Sequence, residues 1–115
     1  MSTHLVTSHG ADFFGHDRYP LPFITGLRDY INGVVPYDER RPLVKLLEHA
    51  AAEGAEFTPA QAQAIGEALM KVASHRFTKP KVAAAVRLLA EAAGRAATDG
   101  ETWDWALTDE KELAT

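Results

Sequence analysis

Four residues, Thr58-Pro59-Ala60-Gln61, constrain the fold of this chain more than any others. A capping hydroxyl, a proline at the first helical position and a glutamine three residues after the cap together mark a helix start. The helix they open carries an apolar stripe at Ala62, Ile65, Leu69, Val72 and Ala73. A second start follows at once, with Thr78 expected as its cap and Pro80 in its first turn. Its stripe is Val82, Val86, Leu89, Ala90, Ala93 and Ala97, and Gly100 closes it. Alanine-rich faces let two helix axes approach near the low end of the usual range of about 8–10 Å. Such faces bury little area each, so they need larger groups to pack on. Phe13, Phe14, Trp103 and Trp105 are the expected suppliers.

Upstream, Pro20 and Pro22 precede a helical pattern at Phe23, Ile24, Leu27, Ile31, Val34 and Val35 that Pro36 ends. Gly26 and Gly33 each weaken that helix by about 1 kcal/mol relative to alanine. Gly33 is also a candidate for a close helix–helix approach. Asp38 is a candidate cap for the next helix, with Pro42 near its first turn, a stripe at Leu43, Leu46, Leu47, Ala50 and Ala51, and a stop at Gly54. Both ends read as strands. His4–Ser8 is rich in β-branched residues, and Trp103, Trp105 and Leu107 alternate with polar or small ones. A strand needs a partner for its backbone groups, and each end is the only partner then evident for the other. The expected fold is mainly α: a four-helix single domain over 1–115 with a two-stranded β-ribbon pairing the N- and C-terminal segments. Residues 1–19 form an irregular or strand head, 20–100 the helical body, and 101–115 a strand and acidic tail.

At 115 residues, a split would leave two pieces too small to bury their own cores. The absence of cysteine excludes a disulfide scaffold, a thiol nucleophile and a cysteine zinc site. It fits a reducing compartment, and with no secretory pattern and no long apolar run the expected location is the cytoplasm. The net charge of −4 hides an asymmetry. Lys71, Arg76, Lys79, Lys81, Arg87 and Arg95 face one acid, Glu91, between residues 68 and 98. From residue 99 onward there are six acids and a single base, Lys111. Such polarity marks a nucleic-acid face or an acidic partner, unless the acidic tail folds back and neutralises the basic helices.

Chemistry concentrates in the head. The run Ser8-His9-Gly10-Ala11-Asp12-Phe13-Phe14-Gly15, followed by His16-Asp17, packs imidazoles, carboxylates, glycines and aromatics into one short stretch. This run, the Trp-Asp-Trp that follows Gly-Glu, and the alanine-rich helices between them resemble a family of small domains from Streptomyces, related actinobacteria and their phages. The resemblance implies that the helices and both ends form one domain and that the source is actinobacterial or phage. The family has no assigned activity, so the resemblance implies no site residue.

Four readings compete for these residues. A small helical domain without a convincing catalytic set reads first as a binding or regulatory module for an unknown protein partner, acting as a monomer or homodimer. Its candidate surfaces are the head, with contact residues His9, Asp12, Phe13, Phe14 and His16, and the basic helix pair; an exposed Phe13, Phe14 or Trp103 would supply an aromatic anchor. Nucleic-acid binding through the helix pair 68–98 is the alternative. Lys71, Arg76, Lys79, Lys81 and Arg87 would neutralise phosphates in a helix-turn-helix outline. His9, Asp12 and His16 offer a weak metal-ligand set, against which His9 and Asp12 would simply hold the turn at Gly10. Acid–base chemistry by His9 with Asp12 or Asp17 is the fourth reading. No glycine-rich phosphate loop, serine elbow or zinc-protease pattern is present, and no cofactor or catalytic residue is expected. His49 and His75 read as surface residues.

Overall fold

The two terminal segments do form strands, and two further strands join them. The structure, a computed structural model, describes residues 3–10 and 15–109. Its elements run β1 (Thr3–Ser8), β2 (His16–Pro20), α1 (Leu21–Val34), α2 (Tyr37–Glu53), β3 (Ala55–Phe57), α3 (Pro59–Ser74), α4 (Pro80–Asp99) and β4 (Trp103–Asp109). The strands form one antiparallel sheet in the order β2-β1-β4-β3. The expected pairing of the two chain ends is its centre, with Leu5 opposite Leu107 and Thr7 opposite Trp105.

The expected ribbon is therefore corrected to a four-stranded sheet. His16–Pro20 lacks an apolar alternation, and among its described side chains Tyr19 is the buried one. Ala55–Phe57 is three residues long, too short for its period to show.

Burial alternates along the strands. Leu5, Thr7, Tyr19, Phe57, Trp103 and Trp105 line one face, and Arg18, Glu56, Asp104 and Ala106 on the other are exposed. Helices cover the apolar face: α1 packs on β1 and β2, α4 on β1 and β4, and α3 on β3. Phe57, Trp103 and Trp105 form an aromatic cluster there, with ring centroids 5.1–5.9 Å apart. Burying one indole removes roughly 200 Å² from water, worth about 5 kcal/mol before entropy is charged. These rings are the large groups that the alanine-rich helices need, with Phe57 an unforeseen contributor.

Helix starts and stops mostly follow the sequence signals. Thr58 makes a full capping box with Gln61, the two bonds measuring 3.0 and 3.1 Å. Gly100 closes α4 in the left-handed region. Gly54, at φ 78°, ends α2 where a Cβ would come 2.7 Å from the Trp105 carbonyl oxygen. Three expectations are corrected. Thr78 does not cap α4; its hydroxyl donates 2.7 Å to the Val72 carbonyl and so closes α3, leaving Lys79 at the α4 start without a side-chain cap. Asp38 lies inside α2, which begins after Pro36 and holds Pro42 within it. The close helix–helix approach is at Gly66, whose added Cβ would stand 3.1 Å from the Ala93 Cβ, and not at Gly33, which has open space.

Candidate functional site

Two regions gather the side chains that chemistry or recognition would use, and they sit at opposite ends of α4. The first is the corner where the head meets the end of that helix. β1 and β2 pair from His4–Pro20 to Ser8–His16, and the Gly10 amide donates to the Gly15 carbonyl at 3.0 Å. Gly10 has no room for a side chain, because a Cβ would lie 2.5 Å from the Asp17 carboxyl carbon. His9 has φ 60°, the only positive value of a non-glycine residue among those described. Such backbone strain costs about 1–3 kcal/mol and persists only where the surroundings hold it.

Here five hydrogen bonds hold it. Arg95 Nε of α4 donates 2.6 Å to the His9 carbonyl, and Trp103 Nε1 donates 3.0 Å to the Ser8 carbonyl. The Asp104 amide donates 2.9 Å to Ser8 Oγ, where the β1–β4 ladder would otherwise continue. Ser8 Oγ also lies 2.8 Å from His9 Nδ1, and His9 Nε2 faces Glu101 Oε1 at 3.1 Å. Asp99 stands beside them, one oxygen of each carboxylate and one ring nitrogen lying within 4.8 Å of one another. His9 is mostly buried, at 17% exposure, whereas both carboxylates are exposed.

The row Ser8–His9–Glu101 has the composition of a hydrolytic relay. Ser8 Oγ, however, already accepts the Asp104 amide, and its neighbours are the backbone groups that join the two chain ends. The arrangement is a clamp first. Deeper in the same corner, burial pushes the Tyr19 phenol above its ordinary pKa, the charge of Asp17 pushes the same way, and Arg95 opposes them.

Of the residues expected at a head site, the structure places His9 in this corner. Asp12, Phe13 and Phe14 lie outside the described residues, so the set His9, Asp12, His16 does too. His16 opens β2 opposite Ser8. Trp103, the remaining anchor candidate, is fully buried and cannot serve as an exposed contact. Sequence reasoning missed Arg95, Asp99 and Glu101. They follow the head by 86 or more residues, and no local pattern links them to it.

The second region is the turn between α3 and α4. Lys71, Arg76, Lys79, Lys81 and Arg87, on the turn and the helices flanking it, are all exposed. Phe77 is 74% exposed, with the Arg76 guanidinium 4.8 Å from its ring centroid and the His75 ring beside it at 5.5 Å. The helices do not cross as in a helix-turn-helix. Gly66 packs on Ala90 and Ala93, two turns or more from the bend on each helix, so the pair lies side by side as an antiparallel hairpin. The same register sets Met70 level with Leu88. Phe77 falls outside both apolar stripes, and that was the available signal for its exposure.

Two grooves flank α2. One of about 280 Å³ lies against α1, with Ile24, Leu47 and Ala51 in its wall and Arg28 and Glu48 paired at 3.3 Å beside them. The other, about 510 Å³, lies against α3 and is lined mainly by Val35, Leu43, Leu46, Ala64 and Ala68. Neither holds a residue of the head corner. Among the described residues, no helix is long and apolar enough to cross a membrane.

No curated protein and no solved structure matches the chain. One family model does, over residues 10–106, a span that includes both regions except Ser8 and His9. The family's description assigns no activity, and the function of the chain is unknown. By that match, the chain belongs to the family described as Domain of unknown function (DUF7739).

Proposed function

We propose that the domain is a binding module that docks an acidic, partly apolar protein segment on the α3–α4 hairpin. One observation carries this reading. Among the described residues the exposed large hydrophobic side chains are Met70 (37%), Phe77 (74%) and Leu88 (45%), and all three belong to this hairpin. Scattered single apolar residues need no explanation, but a set confined to one supersecondary unit supports a contact surface. Phe77 beside Arg76 pairs the residue types that anchor interfaces. Lys79 and Lys81 set the sign of the partner, and the uncapped start of α4 adds positive potential.

Nucleic acid is the less favoured occupant. A side-by-side hairpin presents no recognition helix, the outer side of α4 offers few groups that read base edges, and the protein as a whole is acidic. A sequence without cysteine fits a reducing compartment such as the cytoplasm.

Tagged protein, exposed to a nuclease-treated cell lysate, tests the reading against two variants, Phe77→Ala and Lys79→Glu/Lys81→Glu. We expect one protein retained by the unmodified domain and by an Arg18→Ala control on the open sheet face, and lost by both hairpin variants. Retention seen only in a parallel lysate without nuclease would shift the site to nucleic acid. Retention unchanged in Phe77→Ala would overturn the reading.

A further inference from the structure

The head corner carries a separate inference. The geometry points to a divalent metal site formed by His9 Nε2 and the carboxylates of Asp99 and Glu101, taking a first-row transition ion such as Zn²⁺ or Mn²⁺. In a tetrahedral or octahedral shell with bonds of about 2.1 Å, neighbouring donors stand roughly 3.0–3.4 Å apart. The His9 Nε2–Glu101 distance is already 3.1 Å, and all three donors fall within 4.8 Å. The exposed Asp99 and Glu101 side chains have the freedom to close the remainder around an ion.

Two features outside the donor set support it. The first is the hold on the imidazole. A histidine ligand needs its other ring nitrogen fixed by a partner that sets the tautomer. Ser8 Oγ, itself positioned by the Asp104 amide, stands 2.8 Å from Nδ1. A hydroxyl oxygen has two lone pairs. With one taken by the amide, the other accepts Nδ1–H and leaves Nε2 as the free donor atom. The second is the field. Asp99 is the last residue of α4 and Glu101 follows it, so two carboxylates meet the negative end of a 20-residue helix with no base in its last turn. Arg95, one residue earlier, directs Nε to the His9 carbonyl. A divalent cation offsets that accumulated negative charge.

One imidazole and two carboxylates suit a borderline or hard ion and leave positions for water or for an oxygen ligand. The donors are drawn from the β1–β2 turn and the α4–β4 connection, so a bound ion ties the two chain ends together and raises stability by mass action.

The test uses the full chain. Zn²⁺ is titrated by calorimetry, and Mn²⁺ is added to ¹⁵N-labelled protein so that paramagnetic broadening locates the ion. We expect one Zn²⁺ per chain and broadening centred on His9, Asp99 and Glu101. His9→Gln abolishes binding, and Ser8→Ala weakens it about 10–100-fold through the loss of the ring's partner. Asp99→Asn keeps the fold, because its side chain is exposed, and weakens binding at least tenfold. Absence of saturable Zn²⁺ binding, broadening centred on His49 or His75, or an Asp99→Asn protein that binds like the parent would each overturn the site.

Discussion

The α3–α4 hairpin and the head corner are joined by one helix and built on opposite rules. The hairpin is held by apolar contacts between neighbours in sequence, tight enough that a Cβ added at Gly66 would stand only 3.1 Å from the Ala93 Cβ. Ile65, Leu69 and Leu89 are buried with those contacts, while Met70, Phe77 and Leu88 point outward. The corner is held by hydrogen bonds between residues 86–96 apart, and its large side chain, Trp103, is wholly inside. Positive charge gathers at the start of α4 and negative charge at its end, roughly 30 Å away at 1.5 Å per residue. The charge asymmetry of the sequence is thus laid out along a single helix, with Asp99 and Glu101 at the end away from the basic turn. The contrast teaches that packing fixes the hairpin while leaving its surface available, whereas in the corner the polar groups do the fixing and the strained His9 backbone depends on them.

The sharpest way to break this contrast is at Trp103. Trp103→Ala removes a fully buried indole and the donor to the Ser8 carbonyl, and we expect a loss of about 3–5 kcal/mol in urea unfolding. A loss below 1 kcal/mol would mean that the corner is not part of the core. On the hairpin side, Gly66→Leu forces α3 and α4 apart and should cost about 1–3 kcal/mol by overpacking. A neutral result would show that the close approach is slack.

A pH dependence sharpens the corner further. The phenol of Tyr19 ionises less readily folded than unfolded, so its contribution is complete below the ordinary tyrosine value and is lost as pH rises beyond it. Stability should fall above about pH 10, and Tyr19→Phe should flatten that alkaline limb in thermal melts. An unchanged limb would place the origin elsewhere. The smallest effect is expected where the hairpin meets solvent. Replacing Met70, Phe77 and Leu88 together by serine should change stability by no more than about 0.5 kcal/mol per site, measured by the same melts, while partner binding is lost.

How much of this was readable in the sequence follows the same division. The four helices, the Thr58 capping box, the stops at Gly54 and Gly100 and the pairing of both chain ends rest on local signals, and they are present. Thr78 misled because its hydroxyl had two carbonyl or amide ends to choose between, and the end of α3 won. β2 and β3 escaped because a five-residue edge strand without apolar alternation and a three-residue strand carry no period. In the head, His9 stood out in the sequence as a polar residue beside Gly10, but its partners Arg95, Asp99 and Glu101 lie at the far end of the chain and are brought to it by the β1–β4 pairing.

The most direct test of the central claim, that the hairpin is the docking surface, is hydrogen–deuterium exchange on the domain with and without the captured partner. We expect new protection confined to residues 70–88, with the sheet and head corner unchanged. Protection at the open sheet face, the α2 grooves or the corner, with the hairpin exchanging as before, would contradict it.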